Sequence, residues 1–66
     1  MKITLNGEEM ILDRQMNISA LIEKFSLDQR KIAVERNLEI VPRSSFEEVE
    51  VNEGDNIEII HFIGGG

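Results

Sequence analysis

Cysteine is absent from this 66-residue chain, as are tryptophan and tyrosine, and proline occurs once. Without a thiol there is no disulfide, no thiolate metal site and no cysteine nucleophile, a composition suited to a reducing compartment. Long apolar runs are missing too. No stretch approaches the ~18 residues needed to span a membrane, and no basic, apolar leader opens the chain. These absences lead to the expectation of a cytoplasmic protein with no membrane partner. Basic residues are scarce, seven against 13 acidic ones, for a formal net charge of −6. Neutralising phosphates takes clustered Lys and Arg, so no nucleic-acid partner is expected. With a single histidine, His61, and no acid pair legible in the sequence, there is no nucleophile–base arrangement and no metal cluster to propose. His61 itself reads as a strand histidine that faces solvent or bonds locally.

Small size narrows the reading further. Sixty-six residues make one domain near the lower limit for a core unsupported by disulfides or metal. Ordering them costs ~1.5 kcal/mol per residue, on the order of 100 kcal/mol in all, so most of the apolar residues must lie inside. A deep substrate cavity is not expected. The densest acidic group, Glu47, Glu48, Glu50, Glu53, Asp55 and Glu58, reads as a solvated face before it reads as a docking surface.

What is present is strongly patterned. Ile3 and Leu5 alternate with Lys2 and Thr4, and Met10 and Leu12 alternate after Asn6-Gly7. Asn-Gly favours the paired positive φ angles of a type I′ turn, which predicts an antiparallel hairpin of Lys2 to Leu5 and Glu8 to Leu12. The period then changes: Ile18, Leu21, Ile22 and Phe25 form one helical stripe, with Asn17 as N-cap and Met16 and Leu21 placed for a hydrophobic staple. Such a helix, two to three turns long, is too short to persist alone and must pack on a sheet. Ile32 and Val34, then Ile40 and Val41, read as two short strands around Arg36-Asn37-Leu38-Glu39, and Pro42 should sit at an edge or a strand end. Ser45-Phe46-Glu47-Glu48 matches a capping box and predicts a single helical turn anchored by Phe46.

Asn52-Glu53-Gly54-Asp55 is a turn signal, after which Ile57, Ile59, Ile60, Phe62 and Ile63 are apolar on both faces of a strand. That pattern predicts a central strand, one side covered by the helix, with Ile60 and Phe62 emerging on the other. They would either form an exposed partner-binding patch or cover a second cluster with Phe46 or Val41. The predicted order is that of a mixed α+β β-grasp sheet of four to five strands on one helix, with the last strand parallel to the first. The domain is expected to span residues 1–63, followed by a glycine tail of residues 64–66. Glycine has no Cβ, so Gly64 to Gly66 would carry a terminal carboxylate roughly 10 Å past Ile63 and could thread a narrow active site.

The chain resembles the ubiquitin-like sulfur carriers of thiamine biosynthesis, the ThiS family, along its whole length. The residues that carry the resemblance are Met1-Lys2-Ile3 leading to Asn6-Gly7, Asn17-Ile18-x-x-Leu21-Ile22, Asn37-x-x-Ile40-Val41-Pro42-Arg43, Gly54-Asp55-x-Ile57-Glu58-Ile59 and Gly65-Gly66. Departures are Arg36, where an apolar residue is more usual, and the extra Gly64. The resemblance implies a protein co-substrate rather than an enzyme. Gly66 would be adenylated by an E1-like enzyme that uses ATP, then converted to a thiocarboxylate with sulfur from a protein such as a cysteine desulfurase. The sulfur would pass to thiazole synthase. Gly64 and Gly65 would thread the partner sites, Ile60, Phe62 and Ile63 would supply apolar contact, and the carrier itself would bind no cofactor. Two related uses of such a tail stay open at this point: the small subunit of molybdopterin synthase, and a ubiquitin-like modifier joined to lysines. An interaction domain with an inert tail is a further alternative.

Overall fold

Two hairpins and one helix place every strand. The computed structural model describes residues 1–62. Strand β1, Lys2–Leu5, pairs antiparallel with β2, Glu8–Ile11. Asn6 and Gly7 join them at φ 50° and 82°, the two positive angles that a type I′ turn demands. Leu12 lies one residue past β2 but is still held, its N–H donating to the Met1 carbonyl at 2.8 Å while the Met1 ammonium donates to the Leu12 carbonyl.

Helix α1, Ile18–Lys24, starts where Asn17 caps it: the Asn17 Oδ1 accepts from the Ala20 N–H at 2.7 Å. Two further amide donors of the first turn, on Ile18 and Ser19, donate to the carbonyls of Val49 and Phe46. Ile18, Leu21 and Ile22 are fully buried, and Met16 and Phe25 pack against the core from either end of the stripe. The helix stops at Phe25 in a Schellman arrangement. The Leu27 N–H donates to the Ile22 carbonyl and the Ser26 N–H to that of Glu23, with Ser26 at φ 58° in the position glycine usually takes.

After a short 3₁₀ turn, Gln29–Lys31, capped by Asp28, the chain forms β3, Ile32–Arg36, and β4, Glu39–Val41. Asn37 and Leu38 make the second tight turn, both at positive φ, although Leu38 is no glycine. Pro42 stands just beyond β4 and opens a 3₁₀ turn at Arg43–Ser45. The helical turning expected from Ser45 therefore starts two residues earlier, at Arg43, and continues past Ser45, whose carbonyl accepts from the Glu48 and Val49 N–H groups. Pro42 has no N–H to place and its φ is fixed near the helical value, so it starts the turn, and no side-chain cap closes it. Phe46, which follows, is buried as expected.

Strand β5, Asn56–His61, lies at the centre of a five-stranded sheet of order β2-β1-β5-β3-β4, parallel to β1 and antiparallel to β3. The helix covers one face. Ile3, Val34, Ile57 and Ile59 point into a single core with the helical stripe, Leu12, Ile32, Val41, Phe46 and Val51. Burying one such side chain stabilises by about 1.5–3 kcal/mol, which is how a chain this short offsets its entropy.

Candidate functional site

The expected site has two parts, a glycine tail and the apolar residues leading to it. Ile63, Gly64, Gly65 and Gly66, and with them the expected boundary between domain and tail, lie outside the described residues. The geometry that can be described is that of β5, the strand that delivers them.

Both tight turns reach over to hold this strand. The Asn6 N–H donates to the Ile57 carbonyl, and its side-chain Oδ1 accepts from the Ile59 N–H at 2.8 Å. Asn37 does the same at the first residue of the strand: its N–H donates to the Asn56 carbonyl, and its Oδ1 accepts from the Asn56 N–H at 2.9 Å. Positive φ at each asparagine turns its backbone so that N–H and side chain face β5 together. Pairing with β3 runs from Arg36 opposite Ile57 to Ile32 opposite His61, and the Phe62 N–H donates to the Lys31 carbonyl at 2.9 Å. The strand is thus hydrogen-bonded to the last described residue.

Arg36 and Asp55 complete the anchorage. Asp55 does not belong to the solvated acidic group expected from its sequence neighbours, and Arg36, at a position where an apolar residue is more usual, is its partner. Arg36 has the same parity as Ile32 and Val34, facing the helix side, and its Nε donates to the Asp55 Oδ2 at 2.7 Å. Asp55 is buried, 6% exposed, and also accepts from the Asn52 N–H and the Asn37 Nδ2. Burial pushes the Asp55 carboxyl up, but the hydrogen bonds from Arg36, Asn52 and Asn37 and the Arg36 charge outweigh it, holding the group below its usual range. Nothing local in the sequence signals this network, because Arg36 and Asn37 lie 19 and 18 residues from Asp55.

Ile60 is 49% and Phe62 60% exposed, on the sheet face opposite the helix. The alternative that they cover a cluster with Phe46 or Val41 is excluded, since both of those lie in the core on the helix side. Ile40 and Ile11 are exposed on the same outer parity. His61 is exposed, beside Ile32 in the register. Among the described residues no group of three His, Cys, Asp or Glu side chains is placed to hold a metal ion, and no helix is long and apolar enough to cross a membrane. An open groove of about 510 Å³ lies between Asp13-Arg14 and the exposed side of the helix, lined by Ser19, Glu23, Lys24 and Glu47. It is away from β5 and holds no chemistry that the tail requires.

A helix-backed five-stranded sheet whose last strand is central and parallel to the first defines the class: a ubiquitin-like β-grasp protein. The crystal structure of the thiamine biosynthesis protein ThiS from Geobacter metallireducens superposes with a TM-score of 0.87 over 100% of both chains, at 32% identity. The ThiS family model matches residues 3–66. The sulfur carrier protein ThiS of Bacillus subtilis is 37% identical over 65 residues, 97% of this chain and 98% of that protein. The chain belongs to the ThiS family. The thiazole synthase of Paramagnetospirillum magneticum is 54% identical over all 66 residues, and that of Magnetococcus marinus 41%. This chain spans only 20% of the length of either.

Proposed function

We propose that residues 1–63 form a rigid body presenting the carboxylate of Gly66, and that this carboxylate is the only group in the chain that reacts. At neutral pH it is an anion, with a reference pKa of about 3.3–3.7, and nothing displaces its oxygen unaided. A carboxylate oxygen attacks the α-phosphorus of ATP in an E1-like adenylating enzyme, and pyrophosphate leaves. The outer sulfur of a persulfide on a donor such as a cysteine desulfurase then attacks the acyl carbon, and AMP departs with the bonding electrons; a thiolate next attacks the donor-side sulfur of the acyl disulfide, forming a disulfide with the donor and releasing the thiocarboxylate. The resulting thiocarboxylate passes its sulfur to thiazole synthase. The chain catalyses none of these steps and binds no cofactor; ATP belongs to the partner. Gly64 and Gly65 thread the partner's cleft, Ile60, Phe62 and Ile63 dock against its rim, and the exchange takes place in the cytoplasm.

The observation that carries this reading is the anchorage of β5. A central strand hydrogen-bonded through Phe62 lets a partner grip the body and thereby fix the point from which the tail departs. Two relatives named thiazole synthase contain a segment matching this whole chain, which supports thiazole synthase as the acceptor. The test is ATP–pyrophosphate exchange by the cognate adenylating enzyme. Wild type should support exchange and a variant lacking Gly66 should not. Exchange that survives loss of Gly66, or that wild type fails to elicit from an enzyme active on another carrier, contradicts the proposal.

A further inference from the structure

The outer face of the sheet is not uniformly apolar. On β3 and β5 the antiparallel register sets Glu35 directly opposite Glu58, two register positions from Ala33 opposite Ile60 and on the same face. On the other side of Glu35 stands Ile40 of β4. Two carboxylates therefore share the middle of the face, with exposed Ile40 beside them and Ile60 and Phe62 beyond them along β5. Like charges directly opposite on a sheet destabilise it, and sheets ordinarily place a cation there. The ion pairs among the described residues are Lys2 with Glu9, Arg30 with Asp28 and Arg36 with Asp55, so neither Glu35 nor Glu58 has one. Residues 63–66 contain no basic side chain to supply it. Glu9, on the same face, is paired, which isolates the deficiency at β3 and β5.

We infer that this face receives a single arginine from the sulfur-accepting thiazole synthase, its guanidinium lying across Glu35 and Glu58 while neighbouring apolar side chains cover Ile40, Ile60 and Phe62. The inference rests on the carrier reading given above. Arginine fits better than lysine. Its planar fork can donate to two carboxylates at once, and it is more weakly hydrated, so it enters an apolar surround at lower cost. Adjacent strands keep the two Cα atoms about 4.5–5.5 Å apart, close enough for both carboxylates to reach hydrogen-bond distance of one guanidinium lying between them. Docking along Glu58, Ile60 and Phe62 also aligns the partner with the direction in which β5 leads to residue 63. The face thus sets orientation as well as contact, the role charge complementarity most often plays at an interface.

Titration calorimetry of the carrier against thiazole synthase, at low and high salt, tests this with wild type, E35Q, E58Q and the double variant. The double variant should bind at least about tenfold more weakly at low salt and show a flatter salt dependence. Its melting temperature should match or exceed that of wild type, because a repulsion has been removed. Wild-type affinity in the double variant, or no binding by wild type, overturns the inference, as does a double variant that melts earlier. Sulfur loading of Gly66, measured by intact mass on the same samples, separates the two proposals. Loading with unchanged affinity in the double variant removes only the arginine contact. Salt-dependent, glutamate-dependent binding without loading removes the sulfur chemistry and leaves the contact standing.

Discussion

Asp55 shows how much one residue holds. It accepts hydrogen bonds from Arg36, Asn37 and the Asn52 amide, tying the turn before β5 to the end of β3. Asp55→Asn removes the charge and at least one charge-assisted bond, and should cost about 2 kcal/mol in chemical denaturation. The effect depends on pH in a definite direction. The folded carboxyl is held below its ordinary value, so the unfolded chain takes up the proton first. The stabilisation is complete above the unfolded pKa of about 3.9 and is lost as pH falls through the lower folded value. Wild type and Asp55→Asn should thus converge in stability in strong acid and diverge by pH 5. A constant gap across that range would mean that the ion pair is not what stabilises the strand. Asp28, drawn down to about 2 by the Arg30 side-chain hydrogen bond, is a surface counterpart, and because its partner Arg30 is exposed, solvent screening makes the pair a minor contributor to folding.

Elements were legible where the chain signals them locally. Asn6-Gly7, the Asn17 cap and the Ile18-Leu21-Ile22 stripe each name their own structure, and all three form as read. Asn17→Ala should therefore cost about 1 kcal/mol, measured as a lower denaturation midpoint with unchanged slope. Elements that lack the customary residue were harder to place. The helix ends on Ser26 at φ 58° and the second hairpin turns on Leu38 at φ 71°, both positions where glycine would have announced the conformation. A non-glycine residue there costs roughly 1–2 kcal/mol, so Ser26→Gly should raise stability by about 0.5–1 kcal/mol after its own entropic cost. A loss of stability on that change would mean that the serine side chain makes a compensating contact. The Ser45 motif is met in part: the backbone turn from Ser45 through Glu48 and Val49 forms, but the turning starts earlier because Pro42 fixes where it begins. At the candidate site, the placement of Ile60 and Phe62 on the face away from the helix followed from period-two alternation, whereas their exposure rather than coverage by a second cluster is decided by the structure. The opposition of Glu35 and Glu58 did not follow from the alternation, because register between strands more than 20 residues apart is set by the whole sheet.

At the scale of the whole molecule, the fold works as a clamp on one strand. Helix, both turns and the Arg36–Asp55 pair converge on β5, and every core side chain among the described residues precedes residue 60. Removing Gly64 to Gly66 should accordingly leave the melting temperature within a degree or two of wild type, since surface changes of this kind alter stability by no more than about 0.5 kcal/mol. Unfolding of the truncated chain would show that the tail is part of the body. The central claim, that the Gly66 carboxylate is the one reacting group, is tested most directly by intact mass spectrometry. Purified chain is incubated with its adenylating enzyme, ATP and a sulfur donor. The expected result is a mass gain equal to the difference between one sulfur and one oxygen atom, confined by fragmentation to Gly66. An unchanged mass with a demonstrably active enzyme, or a gain located on any other residue, would contradict it.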